Sequence, residues 1–197
     1  MRDGDTVTAV DALARLADAA AAGDGRALEA FVEASYDQVW RLCAALVDEQ
    51  SADDLAQETY IGVVRSLPRF RGEASARTWL LSIARHVCLD ELRARVRQRR
   101  RDAPLLTADR GREPVSPDAS QEFTITDLVR RLEPERRAAF VITQMLGLSY
   151  EEAAQVCDCP TGTIRSRVAR ARADLLDVLA HAEADRPTRH SGHSSPA

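Results

Sequence analysis

The sequence predicts an all-α chain of two small helical domains joined by a flexible linker, the second domain containing a helix-turn-helix. Three observations predict it. Helix formers such as Ala, Leu, Arg and Glu dominate, and β-branched residues occur only in short runs. Apolar residues recur at three- and four-residue spacing in several segments. Between two such stretches lies a segment with Pro104, Gly111, Pro114 and Pro117 and no sustained apolar period. Residues 1–101 therefore read as the first domain, 102–121 as the linker, 122–183 as the second domain and 184–197 as a disordered polar tail. Aromatic residues make up only 5% of the 197-residue chain, so both cores must be aliphatic.

Taken in order, a short helix is expected near Val10–Ala22 and a longer one from Asp24 to Val47. A third begins after Ser51, read as its N-cap, with Leu55, Thr59, Tyr60, Val63, Val64 and Leu67 as its apolar stripe. Pro68 stops it, and a polar loop runs from Arg69 to Ala76. The fourth helix, Arg77–Arg101, buries Trp79, Leu80, Ile83 and Val87. In the second domain a helix near Thr126–Leu132 precedes one that starts at Pro134, a favourable first helical residue, and ends at Gly147. Ser149 and Glu152 form a capping box for a short helix, Tyr150–Val156. The turn Cys157–Pro160 leads into a long helix, Thr161–Leu179, with Ile164, Val168, Leu175 and Leu179 facing inward. A capped short helix, a tight turn and a longer basic helix make the helix-turn-helix pattern.

Charge is segregated. The net formal charge is −4, with every basic residue an Arg. Residues 1–60 carry 13 acidic residues and 4 Arg, residues 61–101 carry 11 Arg and 3 acidic residues, and residues 102–160 carry 11 acidic residues and 6 Arg. A basic block between acidic ones points to one surface for an anionic polymer and another for a different partner. The acidic start, Met1–Ala22, is unlike a signal peptide, and no stretch reaches the roughly 20 apolar residues needed to cross a bilayer. A cytoplasmic location without membrane attachment is expected, with Cys43, Cys88, Cys157 and Cys159 reduced.

Three segments carry chemistry. On the last helix, Arg165, Ser166, Ala169 and Arg170 fall opposite the apolar stripe, flanked by Arg167 and Arg172. Arg pairs bidentately with a guanine edge, and Thr161 and Thr163 open the helix where backbone N–H groups grip phosphate. On the fourth helix Ser82, Arg85, His86, Arg93, Arg97 and Arg100 line one side, and Arg95, Arg99 and Arg101 enlarge the patch. The loop before it holds Arg69, Phe70, Arg71, Ser75 and Arg77; it reads either as a holder of an unstacked base or as a solvated loop with Phe70 packed beneath. On the third helix Asp53, Asp54, Gln57 and Glu58 share the face opposite the apolar stripe, either as a solvated acidic face or as a dock for a basic protein surface.

These residues resemble the extracytoplasmic-function (ECF) sigma factors of the sigma-70 family, over most of the chain. The run Ser51–Thr59 is similar to the family's polymerase-binding segment, and Phe70–Gly72 with Ala76–Leu80 and Ile83–Arg85 to its minus-ten segment. Leu146–Ala154, Cys159–Arg167 and Arg170–Arg172 are similar to region 4, and the pattern resembles the actinobacterial SigC subgroup most. The resemblance implies a sigma factor that binds RNA polymerase core and directs promoter-specific initiation. It implies that Asp53, Asp54, Gln57 and Glu58 meet the clamp helices of the largest subunit, and that the second domain meets the flap of the second-largest. Arg69, Phe70, Arg71, Ser75, Arg77, Arg85, His86, Arg93 and Arg97 would capture the minus-ten element. Thr161, Thr163, Arg165, Ser166, Arg167, Ala169, Arg170 and Arg172 would read the minus-thirty-five element. His86 stands where many relatives carry Asn, and Ala169 where some carry a larger residue, so the resemblance does not fix base preference at these two positions. An anti-sigma partner, and association with the nucleoid through polymerase, are also implied.

The alternative reading is a helix-turn-helix regulator that is not a polymerase subunit; it leaves the acidic helix, the first basic helix and the linker without a role. A metal or redox sensor built on Cys157 and Cys159 lacks the paired C-x-x-C spacing of structural zinc. No phosphate-binding Gly loop, H-E-x-x-H or G-x-S-x-G occurs, so neither enzyme chemistry nor a metal or cofactor is expected. The linker length implies that the free chain holds its two DNA-reading surfaces loosely, until core fixes their separation.

Overall fold

The computed structural model describes residues 3–72, 74–106 and 125–184, and every regular element among them is helical. These are α1 (Asp3–Ala21), α2 (Gly25–Leu46), α3 (Ala52–Ser66), α4 (Ala76–Leu106), α5 (Ile125–Arg130), α6 (Pro134–Phe140), α7 (Tyr150–Cys157) and α8 (Thr161–Ala184). A 3-10 turn, Leu67–Arg69, closes α3, and a π turn, Val141–Met145, follows α6. Most of the expected linker (107–121) and the expected tail (185–197) lie outside the described residues. Among the described residues no helix is long and apolar enough to cross a membrane.

Local chemistry explains the boundaries. Gly23, at φ 98°, takes the left-handed conformation that ends α1. The Asp24 carboxylate then caps α2 by accepting the N–H groups of Arg26 (2.9 Å) and Ala27 (3.2 Å). The capping box expected at α7 is present in full: Glu152 N–H donates to Ser149 Oγ at 3.1 Å, and Ser149 N–H to the Glu152 carboxylate at 2.8 Å. Asp158, at φ 48°, makes the left-handed turn into Pro160, a conformation that Asp tolerates better than most side chains.

Four local expectations are corrected. Ser51 does not cap α3: its own backbone is helical, and its hydroxyl accepts from Arg95 Nη2 at 2.6 Å. The helix from Pro134 is not regular to Gly147. The Thr143 hydroxyl donates to the Ala139 carbonyl at 2.7 Å, competing for the acceptor that the regular ladder would use, and the π turn falls there. The apolar stripes expected to hold Val64 and Leu179 do not bury them: the two are 51% and 44% exposed. Finally, α4 runs to Leu106, past the expected Arg101.

The first helical half packs around Phe31, Val39, Leu42, Leu80 and Leu81, all fully buried. Small residues let the helices approach: Ala52, Ala56 and Ala84 have no exposure, and a Cβ at Gly62 would stand 3.1 Å from the Ile83 side chain, so α3 and α4 pack closely at that point. The second half buries Val129, Val141, Ile142, Val156, Ile164 and Val168. The two halves do not hang loosely, contrary to expectation. Their buried residues form one continuous cluster, with α4 against α7 and α2 against α5, α6 and the π turn.

Arginines seal this junction by capping helix ends across it. Arg137 Nη1 donates to the Leu46 carbonyl at 2.6 Å and Arg130 Nε to the Ala44 carbonyl at 3.4 Å, both at the C-terminal end of α2. Arg77 Nη2 donates to the Leu146 carbonyl at 2.6 Å. Terminal carbonyls of a helix lack partners and carry partial negative charge, so cations are favoured there. Burial lowers the pKa of the Arg77 and Arg137 guanidinium groups from their ordinary range.

A second network ties α4 to the start of α3. Arg95 binds Asp48 and Glu91, and the Ser51 N–H donates to Asp48 at 2.8 Å. Partial burial would raise the Asp48 carboxyl, but the bonds from Arg95 and Ser51 outweigh it and hold its pKa below 3.8. Its stabilising effect is therefore complete above the unfolded-state value and fades as pH falls through the lower folded value. Asp48→Asn is expected to cost about 1 kcal/mol near pH 7 and much less near pH 3. Urea melts at the two pH values check this; an equal loss at both assigns the effect to something other than the carboxylate charge.

Candidate polymerase and nucleic-acid interfaces

The acidic face expected on the third helix is formed as read. Asp53, Asp54, Gln57 and Glu58 are all exposed on α3, while Leu55, Ala56, Thr59 and Tyr60 on its other side are buried. Beside them lies an apolar groove of about 740 Å³ between α2 and α3, lined by Val32, Tyr36, Tyr60, Ile61 and Val64, with Asp53, Asp54 and Gln57 at its margin. Sequence reasoning missed this groove. The available signal was Ile61, an apolar residue left outside the stripe of an otherwise well-patterned helix. Tyr36 and Tyr60 stack with ring centroids 6.3 Å apart, and the Tyr36 hydroxyl donates to Asp53 at 2.8 Å. That bond raises the Tyr36 pKa, and burial pushes Tyr60 up to about 12, so both phenols stay neutral.

The residues expected at the minus-ten surface separate into two groups. Arg69, Arg71, His86, Arg93 and Arg97 are exposed. His86 Nδ1 lies 2.7 Å from the Ser82 carbonyl, which can only accept, so Nδ1 carries the proton and Nε2 is the acceptor when the ring is neutral. The others are engaged within the protein. Phe70 packs on Trp79 with centroids 4.8 Å apart, both half-buried, and Ser75 Oγ bonds Thr78. Arg77 spans Gln38 and Leu146. Arg85 is 5% exposed, its guanidinium 2.9 Å from Glu135.

In the helix-turn-helix the expected face is formed. Ile164, Val168 and Ala171 are buried on one side of α8, and Arg165, Ser166, Ala169 and Arg170 are exposed on the other. Arg136 ties α6 to Asp174 of α8 at 2.7 Å, fixing the helix in place. Arg172 is exposed and donates to Gln144 of the π turn at 2.7 Å, so Gln144 positions it. Thr161 and Thr163 are half-buried at the helix start. Arg167 stands apart from the exposed set: it pairs with Glu135 at 3.1 Å and donates to Cys159 Sγ at 3.5 Å. Neither Glu135 nor Gln144 was legible beforehand, because each meets its partner far along the chain.

The cysteines are packing residues. Cys43 and Cys88 are buried together between α2 and α4, where their mutual hydrogen bond and burial push the Cys88 thiol up. Burial pushes Cys157 up to about 11, and Cys159 is half-buried. Among the described residues no three or more His, Cys, Asp or Glu side chains stand close enough to hold a metal ion.

Comparison with known proteins finds two family segments in the chain. The Sigma-70 region 2 family model matches residues 31–98, and the Sigma-70 region 4 model residues 123–175. The chain is 49% identical to the ECF RNA polymerase sigma factor SigC of Mycobacterium tuberculosis over 87% of its own length and 94% of that protein. It is 34% identical to the RNA polymerase sigma-H factor of Pseudomonas aeruginosa, covering 80% of this chain and 88% of that one. Its fold is similar to that of CnrH bound to the cytosolic domain of CnrY, with a TM-score of 0.66 at 24% identity over 89% of this chain and 99% of that one. Bartonella quintana RpoE, solved with the anti-sigma factor NepR, gives a TM-score of 0.58 at 25% identity over 80% of this chain and 98% of that one. An exposed acidic helix, a basic helix and a helix-turn-helix in this order thus have one family explanation: the chain belongs to the ECF sigma factors of the sigma-70 family, which bind RNA polymerase core and direct promoter-specific transcription initiation.

Proposed function

We propose a division of labour among the three surfaces. Asp53, Asp54, Gln57 and Glu58 dock the chain on the clamp helices of the largest polymerase subunit, and the neighbouring groove receives apolar side chains of the same partner. Arg69, Arg71, His86, Arg93 and Arg97 contact the minus-ten element together with Phe70 and Ser75 of the loop before α4, and Arg77 and Arg85 join them once the junction between the halves opens. Arg165, Ser166, Ala169 and Arg170 read the minus-thirty-five element in the major groove; Thr161, Thr163 and Arg172 hold phosphates, and Arg167 joins them on opening. The second half also meets the flap of the second-largest subunit. Functional boundaries fall at 1–101, 102–121, 122–183 and 184–197. The chain acts in the cytoplasm, on the nucleoid with polymerase, and performs no catalysis of its own.

The observation that carries this reading is the face of α8, where two Arg, a Ser and an Ala stand exposed opposite a fully buried apolar stripe. Solved relatives captured with CnrY or with an anti-sigma factor support a similar partner here. Run-off transcription tests the whole. Core polymerase given this chain is expected to start new transcripts from a genomic fragment library, and the same transcripts with or without the chain would overturn the proposal.

A further inference from the structure

We infer that Gln144 is a positioning residue for promoter binding, ordering Arg172 for a DNA phosphate without neutralising it. The inference deepens the proposed function and rests on its reading of Arg172 as a phosphate contact. Arg172 stands exposed on α8, and its Nη2 donates to Gln144 Oε1 at 2.7 Å. The amide of Gln144 is itself oriented. Its Nε2 donates to Thr143 Oγ1 at 3.0 Å, and the Thr143 hydroxyl gives its proton to the Ala139 carbonyl at 2.7 Å. Thr143 then has only lone pairs to offer Gln144, and a guanidinium has only donors. Both partners therefore demand the same amide orientation, with Oε1 toward Arg172.

Gln144 lies in the π turn, Val141–Met145, where Thr143 is buried and Gln144 is exposed. The relay thus runs from the core of the second half out to its surface. The choice of an amide matters as much as its place. Arg136 and Arg167 meet carboxylates, Asp174 and Glu135, which offset their charge. Arg172 meets a neutral oxygen, so its guanidinium keeps a full positive charge, with further donors left for a phosphate. A long side chain loses rotamer freedom when it binds, and one already held in place loses less. DNA therefore meets an ordered cation whose field is undiminished.

Binding of holoenzyme, made with the full-length chain, to a promoter fragment recovered by run-off transcription tests this over a range of salt. Gln144→Ala is expected to weaken binding about fivefold, the effect of ordering one free side chain, with the salt slope unchanged because Arg172 keeps its charge. Gln144→Glu supplies a carboxylate of the same shape; it should weaken binding and also lower the slope of log affinity against log salt by roughly one. Arg172→Ala should lower the slope by roughly one as well, and in that background Gln144→Ala should add no further loss. An equal loss in both backgrounds would make Gln144 a structural residue or a DNA contact in its own right and overturn the inference, as would unchanged affinity in Gln144→Ala. If Gln144→Ala loses helix content, Gln144→Glu carries the test through its salt slope. A second readout needs neither polymerase nor promoter: in the free chain, the NMR order parameter of the Arg172 Nε–H bond is expected to drop in Gln144→Ala. Wild-type order in that variant sinks the positioning role, whereas lowered order with no new transcripts from the unmutated chain sinks the sigma-factor reading and leaves Gln144 as the residue that orders Arg172.

Discussion

Charge reversal at Asp54 and Glu58 together, by Lys or Arg, is expected to weaken binding to polymerase core about a hundredfold while leaving helix content unchanged. Both residues are exposed on the outer face of α3 and make no contact that the core of the protein needs. A docking face that meets a basic surface gains encounter rate from its field, and reversal turns attraction into like-charge repulsion worth several kcal/mol. Asp54 also lies in the first turn of α3, where its charge complements the helix dipole, so a thermal shift of a few degrees accompanies the change. Titration of labelled core at two salt concentrations measures the effect. The loss should shrink at high salt because exposed charges are screened. Unchanged affinity would remove α3 as the dock.

Arg170→Ala is expected to weaken recognition of the minus-thirty-five element by about 1–3 kcal/mol, the range for one bidentate contact with a base pair. Arg170 is exposed on the same face as Arg165, Ser166 and Ala169, and among the described residues no ion pair holds it back from DNA. The contrast with Arg167 is informative. Three positions earlier on the same helix, Arg167 is half-buried and paired with Glu135, so its replacement acts first on the junction between the halves. Holoenzyme binding to a promoter and to the same promoter with its upstream element scrambled separates two roles. Equal loss on both templates would make Arg170 a phosphate contact without sequence preference.

Local patterns were legible because they depend on neighbours in the chain. The capping box at Ser149 and Glu152, the end of α3 at Pro68 and the inward stripe of Ile164 and Val168 all arise from side chains within a turn or two of one another. So do the acidic face of α3 and the exposed face of α8, since helical periodicity fixes which residues oppose a buried stripe. Ser51 misled for a related reason. Its type suits an N-cap, but Arg95, 44 positions on, takes its hydroxyl, and only the tertiary fold brings Arg95 there.

Composition, periodicity and local capping made the helical class and the outward faces of α3 and α8 readable from the chain, and the resemblance of its motifs carried the family. Tertiary structure alone decided that the two halves close on each other and that Arg77, Arg85 and Arg167 are held within the junction. It also decided that Glu135 joins two helices, and that Val64 and Ile61 line a groove instead of a core. The physical reason is range. A helix's faces are set by residues a few positions apart, whereas a buried arginine's counterion can come from anywhere in the chain, and its spacing leaves no period to read.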